Sequence, residues 1–178
     1  MALGMTAVAE FFGPFLFGIT VAKTIGSDIV DSNLITLDVL LACLCGSIVW
    51  NLITWFFGIP SSSSHALIGG LIGAAIVSVG WQTIKLEGLE KVLIALFTSP
   101  VIGFVVLRVI YFLSQNATPN INNFFRRGQF FTAIGLAFSH GTNDAQKTMG
   151  IITLSLIISG AQKEFTVPFW VILVSAGT

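Results

Sequence analysis

The sequence contains very little charge. Only 9% of its 178 residues are Asp, Glu, Lys or Arg, whereas a soluble domain usually has about 25%. Hydrophobic residues make up 54% and the mean hydropathy is +0.93, so the chain lacks the charged side chains that would cover a surface facing water. We therefore predict an integral membrane protein.

The sequence also lacks an excess of either charge and has few cysteines. Its 8 basic and 8 acidic residues give a formal net charge of zero, which favours neither nucleic acid nor an anionic lipid surface as a partner. The two cysteines, Cys43 and Cys45, lie two positions apart in an apolar run. On a helix this spacing directs them to different faces, which excludes a mutual disulfide and a compact metal site. We interpret both as small packed thiols.

Apolar runs long enough to cross a bilayer recur along the chain. A spanning helix needs about 20 predominantly apolar residues, and runs of this order cover residues 2–25, 34–57 and 92–113. We predict a membrane-spanning helix in each run. Because proline removes a backbone donor, we expect Gly13-Pro14 to loosen the middle of the first helix and Pro100 to kink the third.

Polar segments separate these runs. We predict aqueous links at residues 26–33 and 80–90 and a longer loop at residues 114–127. The last apolar run, 167–178, is too short to span a bilayer, and the first run lacks the basic n-region of a signal peptide. We therefore expect the chain to be a piece of a longer membrane protein.

A run of four serines, Ser61–Ser64, follows the helix-breaking sequence Gly58-Ile59-Pro60. Serine side chains accept hydrogen bonds from the unpaired N–H groups of the first helical turn, so the run indicates a helix start. The apolar stretch behind it, residues 66–79, is rich in glycine, which suits close helix packing in lipid, but it is short for a span. We predict a half-helix or re-entrant hairpin here, with a non-helical break at Gly58–Ser64.

A second polar stretch, SHGTNDAQKT at residues 139–148, interrupts an apolar run whose two flanks are each about half a span long. Backbone freed from helical pairing survives at mid-membrane depth only inside protein or beside a polar cavity. We therefore predict a non-helical break from Ser139 to Asp144, with Asp144 as the N-cap of a second half-helix. An ionisable pair such as Asp144 and Lys147 at this depth favours a functional site.

Together, the two polar segments predict an anion site. Discontinuous helices aim their half-helix N-termini, which are the positive ends of their dipoles, at a common site. Serine hydroxyls, backbone N–H groups and the Asn143 amide form a set of donors suited to phosphate. Asp144 opposes this, because a carboxylate beside an anion is repulsive. A cation such as Na⁺ between them, or a proton on either group, resolves the conflict, so anion binding should depend on a cation.

Two of these segments resemble signature sequences of the inorganic phosphate transporter (PiT) family. They are PSSSSHALIGG at residues 60–70 and SHGTNDAQKTMG at residues 139–150. The sequence Glu10-Phe11-Phe12-Gly13, together with Ala22-Lys23-Thr24-Ile25, is similar to an early helix of the family that carries an acidic residue. The resemblance extends over essentially the whole chain.

The resemblance implies an all-α fold, a polytopic membrane helical bundle with discontinuous or re-entrant helices that is part of an inverted-repeat transporter. In that pattern each repeat has an Asn/Asp-type broken helix and a Ser/Thr-rich hairpin. This chain has one of each. We therefore expect residues 1–113 to be the end of the first repeat, 114–127 the inter-repeat loop and 128–178 the start of a truncated second repeat.

The function that the resemblance implies is symport of inorganic phosphate with a cation, Na⁺ or H⁺, by a multi-pass protein of the bacterial cell (inner) membrane. We expect no enzyme activity, no cofactor and no nucleic-acid partner; the partners are phosphate, the coupling cation and membrane lipid, and a homo-oligomer is allowed. The candidate phosphate-binding residues are Ser61, Ser62, Ser63, Ser64, Thr142, Asn143, Gln146 and Lys147. The candidate cation-coupling residues are Asp144, Asn143, Ser63 and Glu10, with Na⁺ placed at Asp144.

The residues alone leave two other functions open. An intramembrane serine hydrolase would combine a serine, a histidine and Asp144, and Ser61 lies four residues before His65, within reach on a helix. No G-x-S-x-G sequence marks a nucleophile, however. An ion channel would need repeated filter loops, which one serine run does not supply. We interpret His65 and His140 as packing histidines, and Glu10 as either an interfacial or a buried, partnered carboxylate.

Overall fold

The computed structural model describes residues 2–115 and 121–178. Residues 116–120, in the predicted loop 114–127, lie outside the described residues. The predicted loop is too long, because Ser114 ends one helix and residues 122–127 already belong to the next. The helices are, in chain order, α1 (Ala2–Leu16), α2 (Thr20–Lys23), a π-helix (Thr24–Asp28), α3 (Leu37–Phe56), α4 (Ser63–Ser78), a short 3₁₀ helix (Trp81–Thr83), α5 (Leu86–Ser114), α6 (Asn122–Ile158) and α7 (Phe169–Ala176). The predicted all-α class is confirmed.

Two helices, α3 and α5, are each long and apolar enough to cross a membrane. They confirm the helices predicted at residues 34–57 and 92–113. α5 begins earlier than expected, at Leu86, and therefore takes up half of the predicted link 80–90. Pro100 lies inside α5 without ending it. These two membrane-spanning segments predicted from the composition are thus regular helices.

The first predicted span is broken, but not where expected. α1 together with the α2–π segment makes one candidate span, which is bent by 67° between Leu16 and Thr20. Pro14 lies within α1. The chain turns instead at Gly18, whose φ of +73° lies in the left-handed region that residues with side chains rarely adopt. The expected loosening at Gly13-Pro14 is therefore wrong, because the glycine conformation sets the break.

The predicted aqueous link at residues 26–33 is partly buried, so this prediction is also wrong. Its first residues continue the helix as the π-helix, and Ile29 and Val30 have 0% of their surface exposed. The segment is tied to the next link by a backbone hydrogen bond of 2.9 Å from the Lys85 N–H to the Ile29 carbonyl. Burial of two branched apolar side chains outweighs the polarity of their neighbours.

The predicted break at Gly58–Ser64 is confirmed for Gly58–Ser62, whereas Ser63 and Ser64 are already helical, since α3 ends at Phe56 and α4 begins at Ser63. α4 has 16 residues and is about 24 Å long, short of the roughly 30 Å hydrocarbon core. It packs closely on α3, because a Cβ on Gly70 would lie 2.7 Å from the Cys43 carbonyl oxygen. Both cysteines are free thiols, and Cys43 is buried as predicted, but Cys45 is exposed, so the prediction that it is packed is wrong.

Two clusters of buried side chains hold the helices together. The larger joins the segment after the π-helix to α3, α4 and α6, and the smaller joins α2, α6 and α7. Their buried members are Ile29, Val30, Ile35, Val39, Leu40, Cys43, Leu71, Ala75 and Leu154 in the first, and Ala22, Ala145, Met149 and Val171 in the second. α6 contributes to both clusters and is the central element of the fold.

The predicted break from Ser139 to Asp144 is wrong. α6 runs without interruption for 37 residues, and every residue of the polar stretch is helical. The backbone keeps its own hydrogen bonds, and polar side chains find partners on the same helix. The Thr142 hydroxyl, for example, donates to the Phe138 carbonyl at 2.7 Å. Because these groups are satisfied without opening the helix, Asp144 is an interior helical residue and not an N-cap.

α1 and α6 approach each other closely through glycine. A Cβ on Gly141 would lie 2.4 Å from the Glu10 backbone, and a Cβ on Gly13 would lie 2.6 Å from the Thr142 hydroxyl. Such separations leave no room for a side chain. Small residues allow helix backbones to come this close in membranes. The contact places Glu10 directly beside the polar stretch of α6.

We predict that Gly141→Ala weakens the contact between α1 and α6, because the added methyl group meets the Glu10 backbone. Overpacking of this kind costs about 1–3 kcal/mol. Thermal unfolding of the detergent-solubilised protein, followed by tryptophan fluorescence, measures the effect. The matched control is Gly128→Ala on the same helix, where a new Cβ meets nothing within 4 Å and alanine should stabilise by about 0.5–1 kcal/mol. Equal unfolding temperatures for the two variants would contradict the packing described above.

Candidate functional site

Lys147 joins the two polar segments. Its ammonium group donates to the Ser63 hydroxyl at 3.2 Å and to the Asp144 carboxylate at 2.5 Å. Ser63 is the first residue of α4, and the other two lie one turn apart on α6. The Lys147 side chain is only 11% exposed. The start of α4 and the middle of α6 are therefore in contact. The chain is non-helical just before α4, whereas α6 is continuous at this point.

His140 connects the same cluster to α1. Its Nδ1 atom lies 3.5 Å from an Asp144 carboxylate oxygen and 3.8 Å from a Glu10 carboxylate oxygen. Sequence reasoning gave this histidine a packing role, but its side chain is 65% exposed and sits between two carboxylates. The signal was present in the spacing, because His140, Asp144 and Lys147 follow one another at four and three residues on one helical face. The polar cluster is therefore Glu10, His140, Asp144, Lys147 and Ser63.

The polar cluster carries unequal charges. Glu10 and Asp144 contribute two negative charges and Lys147 one positive charge, which leaves −1 when His140 is neutral. The carboxylates face a cavity of about 570 Å³ between α1, α6 and the end of α7. The described residues contain no group of three or more His, Cys, Asp and Glu side chains arranged to hold a metal ion. A cation here would therefore need hydroxyl or carbonyl oxygens in addition to the carboxylates.

Asn143 belongs to a different cavity. Successive residues of an α-helix point about 100° apart, so Asn143 and Asp144, neighbours in the sequence, open onto different sides of α6. Asn143 lines a space of about 270 Å³ at the break in the first element, together with Phe17, Val21, Gly135, Ser139, Thr142 and Gln146. We predicted from the sequence that Asn143 and Asp144 share one site, but in the structure they line different cavities.

Gln146 and Thr142 are the buried polar residues of this second cavity, with 3% and 8% of their surface exposed. The Gln146 side-chain oxygen accepts a hydrogen bond of 2.7 Å from the Val21 N–H in α2. The Thr142 hydroxyl already donates to α6 itself, so it can act only as an acceptor for a further partner. The cavity therefore offers both acceptors and donors at the point where the backbone of the first element turns.

The four serines do not act as one group. Ser61 accepts from the Trp50 indole N–H at 3.2 Å, and Ser62 caps α4 by accepting from the His65 N–H at 3.5 Å. Ser63 is the one that contacts Lys147, whereas Ser64 is partly buried on the first turn of α4. The predicted helix-start role of the run is confirmed at Ser62. Of the run, only Ser63 has a hydrogen bond to the polar cluster within the described residues.

His65 lies away from the polar cluster. It lines a largely apolar cavity of about 490 Å³ together with Ile68 of α4, residues of the π-helix and residues of α5 that include Lys91. Asp144 contacts His140 and Lys147 instead. Within the described residues, the serine, histidine and aspartate that a hydrolase would need are therefore not brought together as Ser61, His65 and Asp144.

Comparison with known proteins places the chain among transporters. The model of the phosphate transporter family matches residues 1–119 and 113–178. The chain is 44% identical to a Rhizobium meliloti (strain 1021) protein named "Probable low-affinity inorganic phosphate transporter", over 97% of this chain and 53% of that protein. A Bacillus subtilis (strain 168) protein of the same name is also 44% identical, over 96% of this chain and 53% of its own length. The chain spans about half the length of these curated relatives.

More distant relatives agree with this result. "Low-affinity inorganic phosphate transporter PitB" of Escherichia coli (strain K12) is 32% identical over 88% of this chain and 38% of that protein. The fold is similar to that of a solved structure entitled "The sodium-dependent phosphate transporter", with a TM-score of 0.80 and 22% identity over 99% of this chain and 63% of that one. These proteins are transporters and not enzymes, so the hydrolase alternative is set aside. The resemblance found in the sequence is confirmed, and the chain belongs to the phosphate transporter family.

Proposed function

We propose that this chain supplies part of the binding site with which the complete protein carries inorganic phosphate across the membrane together with a cation. Its membership of the phosphate transporter family and the names of its relatives support phosphate as the substrate. The observation that carries the proposal is the Lys147 side chain, which bridges Ser63 at the start of α4 and Asp144 on α6. Nearly buried positive charge beside a helix N-terminus is the chemistry that binds a phosphate group.

The start of α4 is the proposed anion side of the site. Ser62 already caps one N–H of the first turn, so the N–H groups of Ser63 and Ser64 are available to an incoming oxygen. The positive end of the α4 dipole and the Lys147 ammonium group favour negative charge at the same place. Phosphate would replace Ser63 as the partner of Lys147. Ser61, Ser62 and Ser64 would become ligands only after their side chains rotated away from their present neighbours.

The carboxylates are the proposed cation side of the site. With His140 neutral, the polar cluster already carries a charge of −1, and phosphate would add at least one more negative charge. Accumulated like charge in a poorly solvated site is costly. A Na⁺ ion between the Glu10 and Asp144 carboxylates, or a proton on His140, would offset the charge that a singly negative phosphate adds and return the total to −1. Na⁺ is the first choice, because the fold is shared with a protein whose title describes it as sodium-dependent.

The second cavity is proposed to complete the site. Asn143, Thr142 and Gln146 lie one turn or less from the polar cluster along α6, on the side facing the break in the first element. The amides can donate to phosphate oxygens, and the Thr142 hydroxyl and the Asn143 carbonyl can accept from a bound proton or coordinate a cation. Phosphate and its coupling ion would then occupy adjacent sides of one continuous helix.

The cellular setting follows from the same relatives. The apolar helices make the chain an integral membrane protein, and the bacterial origin of its relatives supports insertion in several passes into a bacterial cell membrane. The division into a first repeat (1–113), a loop (114–127) and a second repeat (128–178) stays a prediction. So do association with lipid and with further copies of the protein.

We expect Asp144→Asn to abolish cation-coupled phosphate uptake without preventing membrane insertion. The substitution preserves size and a hydrogen-bond acceptor for Lys147 but removes the charge that the cation neutralises. Uptake of labelled phosphate into liposomes, with and without a Na⁺ or proton gradient, measures the effect. Asp38→Asn, in the first turn of α3, removes the same charge far from the polar cluster and should transport normally. Uptake by Asp144→Asn with unchanged cation dependence would show that this carboxylate is not the coupling group.

We expect the site to prefer phosphate over sulfate. Near neutral pH phosphate retains a proton that it can donate to an ionised carboxylate, whereas sulfate has none. Sulfate would be repelled by Asp144 without a hydrogen bond to offset the repulsion, at a cost of about 1–3 kcal/mol, roughly tenfold or more in affinity. Arsenate, which has the same shape and protons, should compete almost as well as phosphate. Competition against labelled phosphate uptake tests this, and equal inhibition by sulfate and arsenate would refute the proton-matching explanation.

A further inference from the structure

Gln146 lies opposite the break in the first element. Thr142, Gln146 and Gly150 recur every four residues on α6 and therefore line one face of the helix. Thr142 contacts Gly13 in α1, before the break, and Gly150 packs against the backbone of Ala22 in α2, after the break. Gln146 stands between these two contacts and is 3% exposed. One helical face thus supports both halves of the bent element.

The helix that follows the break lacks a cap of its own. Its N-cap residue is Ile19, and no side chain there accepts a hydrogen bond from the first turn. Gly18 before it has no side chain at all. An unpaired N–H group costs free energy in an apolar environment. The Val21 N–H is instead bound at 2.7 Å by the Gln146 side-chain oxygen, which comes from α6, 125 residues further along the chain.

This hydrogen bond fixes the orientation of the Gln146 amide. A backbone N–H can only donate, so the oxygen must face Val21, and the Nε2 group must point away from it. Nε2 has no hydrogen bond to the described residues. It is also not one of their fully enclosed, unpaired side-chain atoms, which belong to Thr83, Thr153 and Ser175. Gln146 also lines the 270 Å³ cavity. Its Nε2 is therefore an unused hydrogen-bond donor at that cavity.

We propose that Gln146 is a positioning and specificity residue. Its oxygen caps the second half of the broken element and holds the break against α6. The same bond commits its nitrogen to the cavity as a donor, which favours an oxygen acceptor of a bound anion and disfavours a bare cation. The capping role stands on geometry alone, whereas the choice of a phosphate oxygen as the acceptor rests on the function proposed above.

Two substitutions separate the two roles. Gln146→Glu keeps an acceptor for the Val21 N–H and replaces the donor with a second acceptor. Gln146→Met keeps the length of the side chain and removes both groups. Gln129→Glu is the matched control, because it adds the same charge to an exposed position of the same helix. All three substitutions are made in the full-length protein, which is then purified and reconstituted in liposomes.

Hydrogen exchange at single-residue resolution tests the capping role. The Val21 amide should exchange about tenfold or more slowly than the Thr20 amide in the unsubstituted protein, as one hydrogen bond implies. The protection should persist in Gln146→Glu and Gln129→Glu and be lost in Gln146→Met. Equal exchange of the two amides in the unsubstituted protein would overturn the proposal even if no variant folds. Loss of protection in Gln146→Glu would overturn it as well.

Uptake kinetics test the specificity role. Gln146→Glu should raise the KM for phosphate about tenfold or more, because an acceptor now faces the anion, while the maximal rate changes by less than about twofold. Gln129→Glu should leave both unchanged. An unaltered KM in Gln146→Glu would refute the donor assignment. Absence of phosphate uptake by the unsubstituted protein would instead refute the proposed function. The capping role would then still be decided by hydrogen exchange at the Val21 amide.

Discussion

The contact between α1 and α6 is the constraint on which the site depends. At Gly13 and Gly141 the two backbones lie too close for any side chain to fit between them. This contact determines the height at which Glu10 meets His140, and it also sets which residues of α6 face the break after Leu16. A membrane offers little hydrophobic force between helices, so close van der Waals packing of small residues has to supply this precision. The close approach that Gly13 and Gly141 allow is therefore as important for the polar cluster as the charges of its members.

The continuity of α6 shows how polar residues can be placed in an apolar helix without opening it. Its backbone stays hydrogen-bonded throughout, and the side chains satisfy one another or reach a neighbouring helix. Asp144 is compensated by Lys147 one turn away, and Lys147 in turn reaches Ser63. Two stretches of non-helical backbone lie beside α6 instead, at the turn around Gly18 and in the segment before Ser63. Both interruptions abut the unbroken helix, which agrees with the rule that irregular backbone at membrane depth is covered by protein or lines a cavity.

Two cavities on different sides of α6 give this helix a central place in the proposed transport. The larger contains the carboxylates, and the smaller contains buried amide and hydroxyl groups. Neighbouring residues of the same helix, Asn143 and Asp144, serve one cavity each. Ligands bound on the two sides would therefore contact a single continuous helix, and Gln146 ties that helix to the bent α1–α2 pair. An anion and a cation bound on these two sides would be separated by no more than the width of one helix.

Local features of the sequence were enough to determine the class of the protein and much of its helix order. Scarce charge and long apolar runs predict membrane helices, Gly58-Ile59-Pro60 before four serines predicts the start of α4, and two signature segments identify the family. The sequence could not determine which polar stretch would break its helix, because the outcome depends on partners brought in by packing. The polar stretch of α6 stays helical since Lys147 pairs with Asp144 and Ser63, and the α2 backbone binds Gln146. The first element, in contrast, bends where Gly18 permits a left-handed turn and Gln146 caps the restart. Those partners are up to 125 residues apart in the chain, so only the tertiary structure brings them into contact.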